Sequence, residues 1–185
     1  MFGLLRFLGL LNTAIWLGTA VFVTFAAGPA FFSEEMLAFL PKAHSGRAAQ
    51  LVLERYFALQ CICAGIAVAH LFAEWLLTRQ PVMPFHRNLL LGIIALVLFG
   101  GFWLAPRLQR LHPAIYPEMY YRNDPAMLQE FSQPERVEAA RKSFALWHGV
   151  SQMANLLALL GLVGHFFLIN RPSTAPRFGN RFRSP

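Results

Sequence analysis

Charge is what this 185-residue sequence has least of. Charged residues make up 14% of the chain, against about 25% in ordinary soluble domains. Four stretches contain no Lys, Arg, Asp or Glu: Phe7–Phe32, Tyr56–Ala73, Asn88–Pro106 and Ser143–Asn170. That shortage excludes an ordinary water-facing globular surface. Cysteine is nearly absent too, with only Cys61 and Cys63. Two apart on a helix, they point about 200° from each other, which excludes a disulfide framework. No Ser/His, His-Glu-x-x-His or paired-Asp signature is present, so no enzyme is expected. Acidic residues are outnumbered, leaving a net charge of +7. The basic residues sit at the ends of the apolar stretches and in the tail, where they meet anionic head groups. Nucleic acid is therefore not an expected partner, and the lipid bilayer is.

What fills the chain is apolar: hydrophobic residues are 56% of it, with 18 Phe. A hydrocarbon core of about 30 Å needs roughly 20 such residues as a helix. The sequence therefore predicts an all-α, four-span transmembrane helix bundle over residues 1–170, with spans near 4–32, 50–78, 87–110 and 135–169. A basic, mobile tail is expected over 171–185. The first apolar run exceeds a secretory h-region, and Phe25 spoils the small-residue cleavage pattern before Gly28, so it reads as an uncleaved anchor.

Two similar helical hairpins are visible. Val21-Phe22-x-x-Phe25-x-x-x-Pro29 in the first span matches Leu98-Phe99-x-x-Phe102-x-x-x-Pro106 in the third, and Arg55-Tyr56-Phe57-Ala58-Leu59 matches Lys142-Ser143-Phe144-Ala145-Leu146. Hairpins that start from one side form a parallel repeat about the membrane normal. Ser132-Gln-Pro-Glu135 reads as a capping box opening the fourth helix, and Ser45 as a weaker start for the second. The stretch from Arg107 to about Ser132, with Pro113, Pro117, Pro125 and three tyrosines, reads as an interfacial loop. The basic residues divide almost evenly between the two sides. Those on the side of the termini have few acids beside them, which places both termini in the cytoplasm, in a plasma or other energy-transducing membrane.

Several side chains are candidates for function. His148, Ser151, Gln152 and Asn155 share one face of the fourth span, and polar groups at membrane depth are expected to face the bundle interior or a wet cavity. They are the leading pocket candidates. Asn12 and Thr19 in the first span face them or form a separate patch. His70 and Glu74, one turn apart, form an anchoring pair or a proton relay with His165. Cys61, Gly65, Ala69 and Ala73, four apart, are expected to pack against a neighbouring helix. Cys61 with Met119, Met127 and Met153 is a weaker soft-metal alternative, and no metal site is predicted. No cofactor is expected either. Aligning Phe57 with Phe144 sets His165 eight residues, or roughly 12 Å, off the level of His70, so no pair of histidines lies at one depth to hold haem.

Trp16-Leu17-Gly18, Gly28-Pro29-Ala30-Phe31-Phe32, Arg55-Tyr56-Phe57, Pro106-Arg107-Leu108 and Phe144-x-x-x-His148 with Asn155 resemble the transmembrane-protein-205-like family, a domain of unknown function. The resemblance implies a four-pass helical protein. One member's link to cisplatin resistance implies export or trafficking of a soft-metal complex. The histidine and asparagine of the motif fall on His148 and Asn155. A looser similarity to copper-resistance membrane proteins points the same way. The reading is a transporter or carrier of a small molecule or soft-metal complex, working as a homo-oligomer. The alternative is a non-catalytic accessory or assembly subunit of a larger membrane complex, contributing helix, lipid or pigment contacts.

Overall fold

A long uncharged run in hydrocarbon has no water to satisfy its backbone, so it closes its own hydrogen bonds as a helix. The computed structural model describes residues 2–79, 81 and 83–170; the expected basic tail, 171–185, lies outside them. Every regular element among the described residues is helical. Four helices are long and apolar enough to cross a membrane: Gly3–Ala30, Lys42–Thr78, Pro84–Ile115 and Pro134–Asn170, here the first to fourth spans. Short helices Glu34–Phe39, Pro117–Tyr120 and Pro125–Phe131 lie between them. The spans form a ring in which the first and third each pack on the second and fourth. Trp16, Ala64, Ala67, Ile93, Val97 and Leu162 fill the centre, while Phe7, Phe22, Phe25, Phe102 and Phe167 point outward, as lipid-facing surface does.

Two boundaries differ from the sequence reading. The second helix starts at Lys42 behind Pro41, and Ser45 is buried with its hydroxyl donating to the Phe31 carbonyl instead of opening the helix. The third continues to Ile115, carrying Pro113 inside it, so much of the expected interfacial loop is helical. Ser132 closes the helix Pro125–Phe131, and the fourth span begins at Pro134.

The first and third spans share an unusual device. Val23–Ala27 and Phe99–Leu104 are wide π-helical turns, with Gly28 N–H bonding Val23 C=O and Ala105 N–H bonding Gly100 C=O. Pro29 and Pro106 follow one residue later. A proline has no N–H to give and its ring crowds the carbonyl four residues back, so the turn before it opens to a longer bond. Against the third span's wide turn lies Phe57. A Cβ at Gly100 would come within 2.8 Å of its ring, so the close approach of the second and third spans there requires glycine.

The repeat is local. A pure rotation about the membrane normal would set Tyr56 level with Ser143, its counterpart in the alignment. Instead the Tyr56 hydroxyl bonds Asn155, twelve residues beyond Ser143. The fourth helix is slid relative to the second, in a register that gives the Asn155 amide partners on the first and second spans.

Candidate functional site

In hydrocarbon a polar side chain has only other protein groups to bond, so the turns of each span follow its polar residues. Tyr56 and Gln60, four apart, and Cys63, Ala64, Ala67 and Leu71 beyond them are the buried face of the second span. The predicted stripe of Cys61, Gly65, Ala69 and Ala73 is not that face. Gly65 and Ala69 are exposed, Cys61 and Ala73 half-buried, and a Cβ at Gly65 meets nothing within 4 Å. Turning Tyr56 and Gln60 inward carries the small residues away from the bundle.

From those positions a polar column runs through the interior. At one end the Asn155 amide is used on both sides: its Nδ2 donates to Thr24 Oγ1 at 2.8 Å and its Oδ1 accepts from the Tyr56 hydroxyl at 3.1 Å. Thr24 passes its own proton to the Ala20 carbonyl at 2.7 Å. One turn further along, Trp16 Nε1 donates to Gln60 Oε1. Asn12 Nδ2 then donates to the Cys63 carbonyl at 3.0 Å, and Thr13 to the Gly9 carbonyl at 2.8 Å.

The column ends in histidines. His165 is fully buried, with Trp16 edge-on at 6.2 Å between ring centroids. Its Nδ1 lies 2.9 Å from Nε2 of His86. His70 lies within electrostatic range of both rings, and Glu74 of His86. His70 sits over Gly9, where a Cβ would fall 2.7 Å from its Cδ2. Both nitrogens of His70, Nε2 of His165 and Nε2 of Gln60 are buried without a hydrogen-bond partner among the described residues.

The predicted candidates therefore separate. Asn12, Asn155, His70 and His165 belong to the column, and Glu74 is an exposed neighbour of the cluster. Thr19 is half-buried and bonds only its own helix, at the Ile15 carbonyl. The four-residue stripe of the fourth span does not face inward as a unit. His148 and Gln152 are exposed and bond each other at 3.2 Å, while Ser151 and Asn155 are half-buried. Trp147 is half-buried and packs edge-on against Trp103 at 5.0 Å, and His148 is stacked on Phe144. The depth argument against paired histidines also fails, since the slide of the fourth helix brings His165 to the end of the bundle that holds His70.

His86 does not stand out in the sequence. Pro84 at the first helical position marks a helix start and puts His86 in the first turn, level with that end. Gln60, a lone amide in an apolar run, is a second signal of the same kind. Among the described residues no three His, Cys, Asp or Glu side chains converge to hold a metal ion.

The interior polar column and apolar exterior define an integral, multi-pass membrane protein built as a helical bundle. Residues 11–116, more than half of the chain, match the family described as Domain of unknown function (DUF4149). The chain belongs to that family. No curated protein and no solved structure matches it.

Proposed function

We propose that this protein is a non-enzymatic carrier for a small solute, and that the histidine cluster His70, His86 and His165 handles protons at one end of its path. The observation that carries the reading is His165: an imidazole with no exposed surface, bonded on one nitrogen to His86 and unpartnered on the other. Ionisable groups at membrane depth are costly and mark proton or substrate routes. The polar column from Asn155 through Gln60 and Asn12 leads to that cluster. The resemblances to the transmembrane-protein-205-like family and to copper-resistance membrane proteins add a soft-metal complex to the solutes this reading covers. Such a complex would be cargo.

The test uses the purified chain in vesicles that enclose a pH-sensitive dye. An imposed proton gradient is expected to decay faster than in empty vesicles, and His86→Gln is expected to slow that decay while preserving helical content. A platinum complex serves as a second probe, read by its accumulation inside. Vesicles no more permeable than empty ones to either probe would sink the carrier reading. If foreign subunits also co-purified in mild detergent, the accessory-subunit reading would replace it.

A further inference from the structure

A second feature lies on the outside of the bundle, away from the histidines. The third and fourth spans leave a groove of about 720 Å³ between them, lined by Leu96, Ala145, Gly149, Gln152, Ala154 and Leu157. It continues into a further 540 Å³ beside Gly92, Phe99 and Gly161, sharing Leu96 and Leu157. Glycine and alanine make the furrow, and its walls are almost wholly apolar, so it suits a hydrocarbon chain.

A cation is joined to the groove through aromatic rings. The Arg107 guanidinium lies 4.3 Å from the centre of the Trp147 ring and 5.2 Å from that of Trp103. Trp103 is stacked in turn on Phe99, which lines the groove. Two indoles hold the guanidinium by cation–π attraction, and Arg107 is exposed. Among the described residues Arg107 makes no ion pair. Trp and Arg are side chains of the head-group level. From Arg107 to Leu96 the helix descends on the order of 16 Å, about half a hydrocarbon core and the depth of one leaflet.

Gln152 supplies an independent sign. It is exposed at membrane depth, lines the groove and bonds only His148 at 3.2 Å. It lies roughly 7.5 Å below Trp147 along the helix, where the glycerol esters of a lipid with its phosphate at Arg107 would sit.

We propose that this groove is a binding site for an anionic phospholipid. Arg107 takes the phosphate, Gln152 donates to an ester carbonyl, and the Leu96–Gly149–Leu157 furrow holds an acyl chain. The occupant is anionic because Arg107 makes no ion pair among the described residues, and an unpaired guanidinium favours a head group of net negative charge. This inference does not depend on the carrier reading.

Native mass spectrometry of the full chain, released from mild detergent after equilibration with phosphatidylglycerol and phosphatidylcholine of identical acyl chains, tests it. Wild type is expected to retain phosphatidylglycerol about five-fold more, the weight of one guanidinium against an anionic head group. Arg107→Gln is expected to make the two lipids equal, and Arg107→Lys to keep the preference, which separates recognition of charge from a structural role. Gly149→Leu, at a groove-lining position where an added Cβ meets nothing within 4 Å, is expected to lose both lipids while keeping its melting temperature. Equal retention by wild type would mean ordinary boundary lipid and overturn the proposal. So would a preference that survives Arg107→Gln. A wild-type dimer that Gly149→Leu makes monomeric would show that a second copy fills the groove, and would overturn it as well.

Discussion

Nε2 of His86 lies 2.9 Å from Nδ1 of His165, tying the first turn of the third span to the last turns of the fourth. The two residues are 79 apart in sequence, and the bond closes the histidine end of the bundle. A double-mutant cycle with His86→Ala and His165→Leu measures it. The single variants are each expected to lower stability by about 1–3 kcal/mol, since each strands a buried nitrogen. Their sum is expected to exceed the double variant's loss by about 1 kcal/mol. Strict additivity in thermal or denaturant unfolding would show that the rings do not bond.

Glycine at two positions on neighbouring helices should respond in opposite ways. A Cβ at Gly9 would fall 2.7 Å from His70 Cδ2, so Gly9→Ala is expected to cost about 1–3 kcal/mol through overpacking, with His70→Ala restoring most of the loss. Gly65 has open space where its Cβ would go, and Gly65→Ala is expected to stay within about 0.5 kcal/mol of wild type. A large loss at Gly65 would show that its face meets another chain.

Asn155 and His148 differ in the same way on one helix. Asn155→Ala removes bonds to Tyr56 and Thr24, each worth about 0.6 kcal/mol on average within membranes and up to about 1.7. His148→Ala loses an outward contact with Gln152 and a stack on Phe144, both within its own helix, and is expected to leave the melting temperature almost unchanged. The reverse order of effects would place the stripe's functional weight back on His148.

Outside the spans, Ser33 caps the helix Glu34–Phe39 by accepting from Met36 N–H. A backbone hydrogen bond and the Ser33 side chain hold the Glu35 carboxyl below its ordinary value. A lowered carboxylate pKa means that the contribution is present above the ordinary value and fades as pH falls through the lowered one. Ser33→Ala is expected to move the Glu35 titration upward, read by carboxyl NMR in micelles. An unmoved titration would remove Ser33 from the account.

Part of the interior is legible in the order of the residues. Asn12, Asn155, His70 and His165 stand out because an amide or imidazole in an uncharged span has to bond to protein. The small-residue stripe misleads, because Gly65 and Ala69 keep a helical spacing whichever way the helix turns. Spacing gives a face, and only the competition among faces decides which one is buried. His148 misleads for a related reason: it shares a helical spacing with Asn155, yet only Asn155 bonds other spans while His148 is exposed. His86 is hidden because its importance comes from residues in another span.

By itself the sequence determined the class of protein, the number of spans and the two prolines that disturb the first and third spans, although the third helix runs on past Pro106 to Ile115. Those are properties of single helices: in hydrocarbon, an apolar run must satisfy its own backbone, and a proline within a span crowds the carbonyl four residues back. Only the tertiary structure decided the slide of the fourth helix against the second, the inward face of each span and the meeting of His86 and His165. Neighbouring spans gain no hydrophobic free energy from one another in lipid, so close packing and a few long-range hydrogen bonds choose among otherwise similar registers. Those bonds join residues 44 to 131 positions apart, a range over which no local pattern carries information.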